Sequence, residues 1–159
     1  MLEESLVPTN LLTVTTSHNP ADALNLINNR LVSWSTQLRQ EEGMWVQIKL
    51  KDPKWLSRIV LVYNQYHTDR APRLNIEVKS AGQWLLVGDH VAGDIDPFEF
   101  ENGKPVYDRY VQVIRGEPVF ADGLRLTIVE NDPRYWWTFM QIKLYARSAP
   151  SEAGSPPYK

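Results

Sequence analysis

The sequence predicts an all-β fold, two antiparallel sheets packed face to face. Three observations carry that prediction. Short runs of apolar/polar alternation recur along the chain, most cleanly at 73–79, where Leu74, Ile76 and Val78 alternate with Asn75, Glu77 and Lys79. Turn signals separate the runs, among them Lys51-Asp52-Pro53-Lys54, Ala81-Gly82-Gln83 and Asn131-Asp132-Pro133. After residue 30 no segment of useful length carries a helical period.

The elements follow in order. Residues 11–16, rich in β-branched side chains, read as a first strand. Residues 21–29 read as a short helical turn, with Asn19 as its cap and Pro20 in the first position. Val32-Ser33-Trp34-Ser35-Thr36 is a short extended piece. A polar loop, 37–43, precedes a half-buried strand at 44–50, where Val46, Ile48 and Leu50 alternate with Gln47 and Lys49. After the turn at 51–54, Ile59-Val60-Leu61-Val62-Tyr63 is almost continuously apolar, which predicts a strand covered on both faces. The loop 64–72 follows, then the strand 73–79, a hairpin turn and the return strand 84–87. Residues 90–105 read mostly as loop, 106–115 as a strand, 116–118 as a connection and 124–128 as a further strand. The last strand, with Met140, Ile142 and Leu144 against Gln141 and Lys143, closes the sheet.

Bulk properties bound the function. The chain has 159 residues, enough for one domain with an adequate core, and no cysteine, so neither disulfides nor thiolate metal sites exist. A formal charge of -2 gives no reason to expect nucleic acid and weighs against an anionic membrane as partner. The acidic start, Met1-Leu2-Glu3-Glu4-Ser5, shows no signal peptide, and no stretch is long and apolar enough to span a bilayer. No nucleophile elbow, phosphate loop, dinucleotide fingerprint or zinc helix is present, so nothing supports an enzyme. His18 and His90 lack metal-ligand spacing, and Asp94 and Asp96 read as an acidic surface turn, with a cation site as the alternative.

Counting strand reversals places four loops at one end: 37–43, 64–72, the region 89–103, and 131–136. Loops gathered at one end of a rigid sandwich are a usual place for a binding site. The segment Asn131-Asp132-Pro133-Arg134-Tyr135-Trp136-Trp137 concentrates large aromatics where a turn normally uses small polar residues.

Several segments together carry a family resemblance. Trp137-Thr138-Phe139-Met140-Gln141-Ile142-Lys143-Leu144-Tyr145 is similar to the closing pattern W-S-I-x-E-L-x-V-Y of the discoidin domain, also called the coagulation factor V/VIII type C domain. Gly43-Met44-Trp45-Val46-Gln47-Ile48-Lys49-Leu50 resembles its G-x-W-h-x-I-D-L strand, and Arg58-Ile59-Val60-Leu61 its V-x-R-I-V-L. The stretch from Pro72 to Ser80, followed by Gln83-Trp84, resembles P-R-x-Y-x-V-x-V-S … W. Residues 23–36 and 124–128 match two further patterns, and the resemblance spans roughly residues 10 to 146. It implies an eight-stranded jelly-roll sandwich of the galactose-binding-domain-like type, an N-terminal extension at 1–9 and a linker-like flexible tail at 147–159. It also implies a non-catalytic module that binds glycans, part of a larger glycan-acting or cell-surface protein, in an extracellular or periplasmic setting. The alternative is a protein-interaction module using the same loops or a sheet face.

The resemblance also implies a calcium site, at which Ile27, Val32 and Gln141 stand in this chain. Calcium needs several hard, preferably anionic oxygens. We therefore expect no calcium there, or one held weakly by backbone carbonyls. The expected ligand-binding residues are Arg39, Tyr66, His67, Asp69, Arg70, Tyr135 and Trp136. Arg and His donate to hydroxyls, Asp accepts, and the aromatics cover an apolar sugar face. For Tyr135 and Trp136 the alternatives are a stacking platform and burial under neighbouring loops. Trp137 falls on a structural position and is assigned to the core, and Trp34, Trp45, Trp55 and Trp84 to packing.

Overall fold

The computed structural model describes residues 4–64, 67–148 and 158–159. It contains twelve strands among these residues: β1 (Glu4–Leu6), β2 (Leu12–Thr16), β3 (Trp34–Arg39), β4 (Trp45–Tyr63), β5 (Arg73–Ser80), β6 (Gln83–Val91), β7 (Asp94–Asp96), β8 (Glu99–Glu101), β9 (Lys104–Val106), β10 (Tyr110–Glu130), β11 (Trp136–Phe139) and β12 (Gln141–Arg147).

Two of them, β4 and β10, run through the whole molecule. They pair antiparallel from Trp45 opposite Thr127 to Tyr63 opposite Tyr110, with register shifts at Arg115/Val119 and Ala121/Gly123. Bulges of this kind bend a strand and raise its twist. Pro53 and Pro118 lie in the unpaired stretches, as expected of a residue with no N–H for the ladder. The sequence reading ends a strand at each of these places. The structure instead carries each strand round a corner, from one layer into the other.

The first layer is β2, the first half of β4, the second half of β10, β5 and β6; the second is β1, β12, the second half of β4, the first half of β10, and β7. Alternation sends Val46, Ile48, Leu74, Ile76 and Leu126 from the first layer, and Ile59, Leu61, Ile142 and Leu144 from the second, into one shared core. The predicted all-β sandwich is the observed fold.

The second layer is also covered on its outside. Val60, Val62, Val111, Val113 and Met140 form a separate buried cluster there, as the apolar run at 59–63 leads one to expect. The β8–β9 hairpin lies over part of this face: Glu99 pairs with Lys143 of β12 and, at 3.2 Å, with Arg109. Much of the region 90–105, read as loop, is thus strand, and its hairpin covers a sheet instead of joining the other loops.

Three local expectations differ. Residues Pro20–Leu26 form a 3-10 helix, and Asn19 is left-handed (φ 50°) with no capping bond; its amide donates to the Ser35 carbonyl at 2.8 Å. Asn19 thereby ties the turn to β3 instead of capping it. Within the segment assigned to an extension, Glu4–Leu6 pairs with β12. Of the tail, 149–157 lie outside the described residues, while Tyr158 and Lys159 are seated on the sandwich. Lys159 exchanges two backbone hydrogen bonds with Arg115, at 3.0 and 3.3 Å. Tyr158 is buried, its hydroxyl donating to the Leu56 carbonyl.

Gly116 makes that seat: a Cβ there would stand 2.6 Å from the Tyr158 backbone. Gly116→Ala should therefore cost about 1–3 kcal/mol through forced displacement, and Tyr158→Ala about 3–5 kcal/mol as a buried aromatic truncation. Both act on one contact, so the double variant should cost less than the sum of the two. Denaturant midpoints check this; strict additivity would mean the seat does not form.

Candidate functional site

The loops rest on a buried aromatic cluster. Trp34 and Trp137 meet edge to face at 5.7 Å between ring centres, Phe139 lies 5.5 Å from Trp34 and 5.6 Å from Trp137, and Tyr63 lies 6.0 Å from Phe139. All four are essentially inaccessible to solvent. Such pairs contribute about 0.5–1.5 kcal/mol each beyond their burial. Strand alternation decides the fate of the neighbouring tryptophans: Trp137 turns into this cluster, while Trp136 stays 49 % exposed.

Above the cluster a single side chain joins three loops. Gln40 is buried, although it follows the exposed Gln37, Leu38 and Arg39. Its amide nitrogen donates to the carbonyls of Asp69 and Arg70, both at 3.2 Å, and its amide oxygen accepts from Asp132 N–H at 3.0 Å. Its backbone N–H donates to the Tyr135 carbonyl at 2.9 Å, and its carbonyl accepts from Asn131 Nδ2 at 2.9 Å. The 37–43, 64–72 and 131–136 loops thus meet at one pole. Sequence reasoning passed over Gln40, because a glutamine in a polar loop looks solvated; no local signal marks it.

Arg39 and Trp136 are cross-strand partners of the small β3–β11 sheet, and both side chains are exposed. Tyr135 is half-buried, with the Arg134 guanidinium 5.3 Å from its ring centre. Arg134 in turn grips Asp132 through Nε at 2.9 Å and Nη2 at 2.8 Å. That bond holds the Asp132 carboxyl below the usual carboxylate range. Asp69 and Arg70, both half-buried, share this pole, and burial raises the Asp69 carboxyl while a hydrogen bond from Thr138 opposes the shift. His67 begins the 3-10 helix His67–Asp69 of the same loop. Tyr66 lies outside the described residues. Glu41 and Glu42 are exposed.

The residues at the implied calcium position do not suit that ion. Ile27 is buried and apolar, Val32 is 52 % exposed, and the Gln141 amide is engaged with Asn29 Oδ1. No carboxylate stands among these residues, whereas calcium takes six to eight oxygens, several of them anionic. Among the described residues, no group of three or more His, Cys, Asp or Glu could hold a metal.

Two outcomes test this geometry. Gln40→Ala leaves buried backbone groups unpaired and should cost about 2–4 kcal/mol. It should also speed amide exchange in 131–135, while β5 keeps its protection. Unaltered stability and exchange would contradict the role given to Gln40. By carboxyl-carbon NMR, Asp69 should titrate above and Asp132 below the ordinary value near about 3.9. The signs are opposite. The Asp132 contribution to stability is present above the unfolded value and lost as pH falls through its lowered folded value. Asp69 favours the fold at acid pH, and that contribution is lost as pH rises through its raised folded value.

No protein-family model and no curated protein matches the sequence. Solved structures do match. The chain is similar to the family 32 carbohydrate-binding module of Clostridium perfringens NanJ in complex with galactose, with TM-score 0.64 and 13 % identity over 90 % of this chain and 99 % of that one. It is similar to an F5/8 type C domain of a Bacteroides fragilis protein, with TM-score 0.59 and 17 % identity over 92 % and 98 %. It also matches part of a family 89 glycoside hydrolase from C. perfringens, with TM-score 0.57 and 18 % identity, covering 90 % of this chain and 15 % of that one. The fold is therefore the discoidin-like jelly roll that these domains share.

Proposed function

We propose that this chain is a non-catalytic carbohydrate-binding module that holds a saccharide on the loops at the Gln40 pole. The observation that carries the reading is the exposed Trp136 indole beside the exposed Arg39 in the β3–β11 sheet, fixed above a rigid aromatic core. A sugar ring lays its apolar face on an indole, and guanidinium groups donate to its hydroxyls. Tyr135 and Asp69 extend the surface, Arg70 and His67 lie in the adjoining loop, and Tyr66 belongs to the same segment. The galactose complex of a similarly folded module supports a glycan as partner. The match to a small part of a glycoside hydrolase supports attachment to a larger glycan-acting protein. Calcium plays no part in this reading, because the donors at the implied position are neutral or apolar.

A glycan array compares wild type with Trp136→Ala. A specific sugar signal should appear for the wild type and fall by about tenfold or more in the variant, as loss of roughly 1.4 kcal/mol or more of stacking requires. Affinity and melting temperature should be unchanged by a calcium chelator. Silence of the wild type across a broad array, or equal binding by the variant, contradicts the assignment. Chelator sensitivity contradicts the metal-free part alone.

A further inference from the structure

The outer face of the second layer carries an arrangement that the loop site does not explain. Arg58 of β4 and Arg115 of β10 are register partners, and Tyr145 of β12 is the partner of Arg58 on its other side. Like charges directly opposite one another on a sheet repel. Arg58 is compensated: its Nε lies 3.2 Å from Glu4 Oε2, and its guanidinium sits 3.9 Å over the Tyr145 ring. Glu4 is shared with Arg147 at 3.7 Å. Arg115 is exposed, and among the described residues its guanidinium has no ion-pair or hydrogen-bond partner. Glu4 thus serves both Arg58 and Arg147, and Arg115 is the register partner of Arg58.

A groove of about 390 Å³ opens over this row. Val60 and Val113 form its floor, and Phe98 and Phe100, in edge contact at 5.2 Å, rise from the covering hairpin. Glu99 also faces the groove, but Lys143 and Arg109 neutralise it. Asp96 pairs with Val111, four residues along β10 from Arg115, and so stands towards the other end. The groove thus offers an unneutralised cation at one end, an aromatic and aliphatic middle, and a hydrogen-bond acceptor at the other. We propose that it is a second binding site, taking a saccharide that carries a uronate. The planar carboxylate fits the Arg115 fork, which forms charge-assisted paired hydrogen bonds. The apolar ring face meets Phe98, and hydroxyls of the next residue donate to Asp96. A neutral sugar cannot form the charge-assisted pair with Arg115, which favours the acid.

Calorimetry with a galacturonate trisaccharide and its methyl ester tests the site, at one fixed low ionic strength. Wild type should bind the acid and not the ester. Arg115→Gln should weaken binding about tenfold or more, while Trp136→Ala should leave Kd within about twofold, which separates this groove from the loops. In methyl-labelled protein the acid should shift the Val60 and Val113 resonances, a readout that needs no variant. Absence of binding, equal binding of the ester, an unaffected Arg115→Gln, loss in Trp136→Ala, or still valine methyls would each overturn the proposal.

Discussion

One buried amide holds the loop pole together. Gln40 satisfies main-chain groups from two other loops with its side chain, and its own backbone bonds again to one of them, at Tyr135 and Asn131. Loops normally leave the surface only at the cost of unpaired N–H and C=O groups. Here a single long polar side chain meets those groups, so three irregular segments pack closely. The exposed pair Arg39 and Trp136 inherits its position from this, because β3 leads directly into Gln40 and Tyr135 leads directly into β11.

Below the pole, rigidity comes from a different source. β4 and β10 belong to both layers, so neither layer can move far without the other. The aromatic cluster of Trp34, Tyr63, Trp137 and Phe139 draws its members from β3, β4 and β11. It joins the small β3–β11 sheet to the sandwich. The loop pole therefore stands on packed rings and two shared strands.

The sandwich was legible in the sequence because burial on one face of a strand writes itself as alternation, and the apolar run at 59–63 announced a strand covered on both sides. The family resemblance assigns Trp137 to the core, while Trp136 stands between a stacking platform and burial; strand alternation in the structure separates the two. Arg39, Asp69, Arg70, Tyr135 and Trp136 lie on segments that meet around Gln40, but the same count of reversals also sends 89–103 there, where the structure does not put it. What escaped was non-local. Gln40 acts through partners about 30 and 90 residues away, and no window of sequence contains them. The β8–β9 hairpin was missed because three-residue strands are too short to show a period, and Phe98 and Phe100 sit among Asp, Pro and Glu. Corners at Pro53 and Pro118 look like chain reversals when read locally; only cross-strand pairing shows that the strands continue. Tyr158 follows a stretch rich in Pro, Ser and Ala, a composition that gives no hint of a docked ring.

The first described strand and the seated dipeptide Tyr158–Lys159 both attach around the second layer, beside Arg147, Leu56 and Arg115, away from Gln40. Any polypeptide joined at either end would trail from the side opposite Trp136. The Gln40 pole, with Arg39 and Trp136, would then face away from the join. A fusion at these ends could vary in size and shape without occluding the loops.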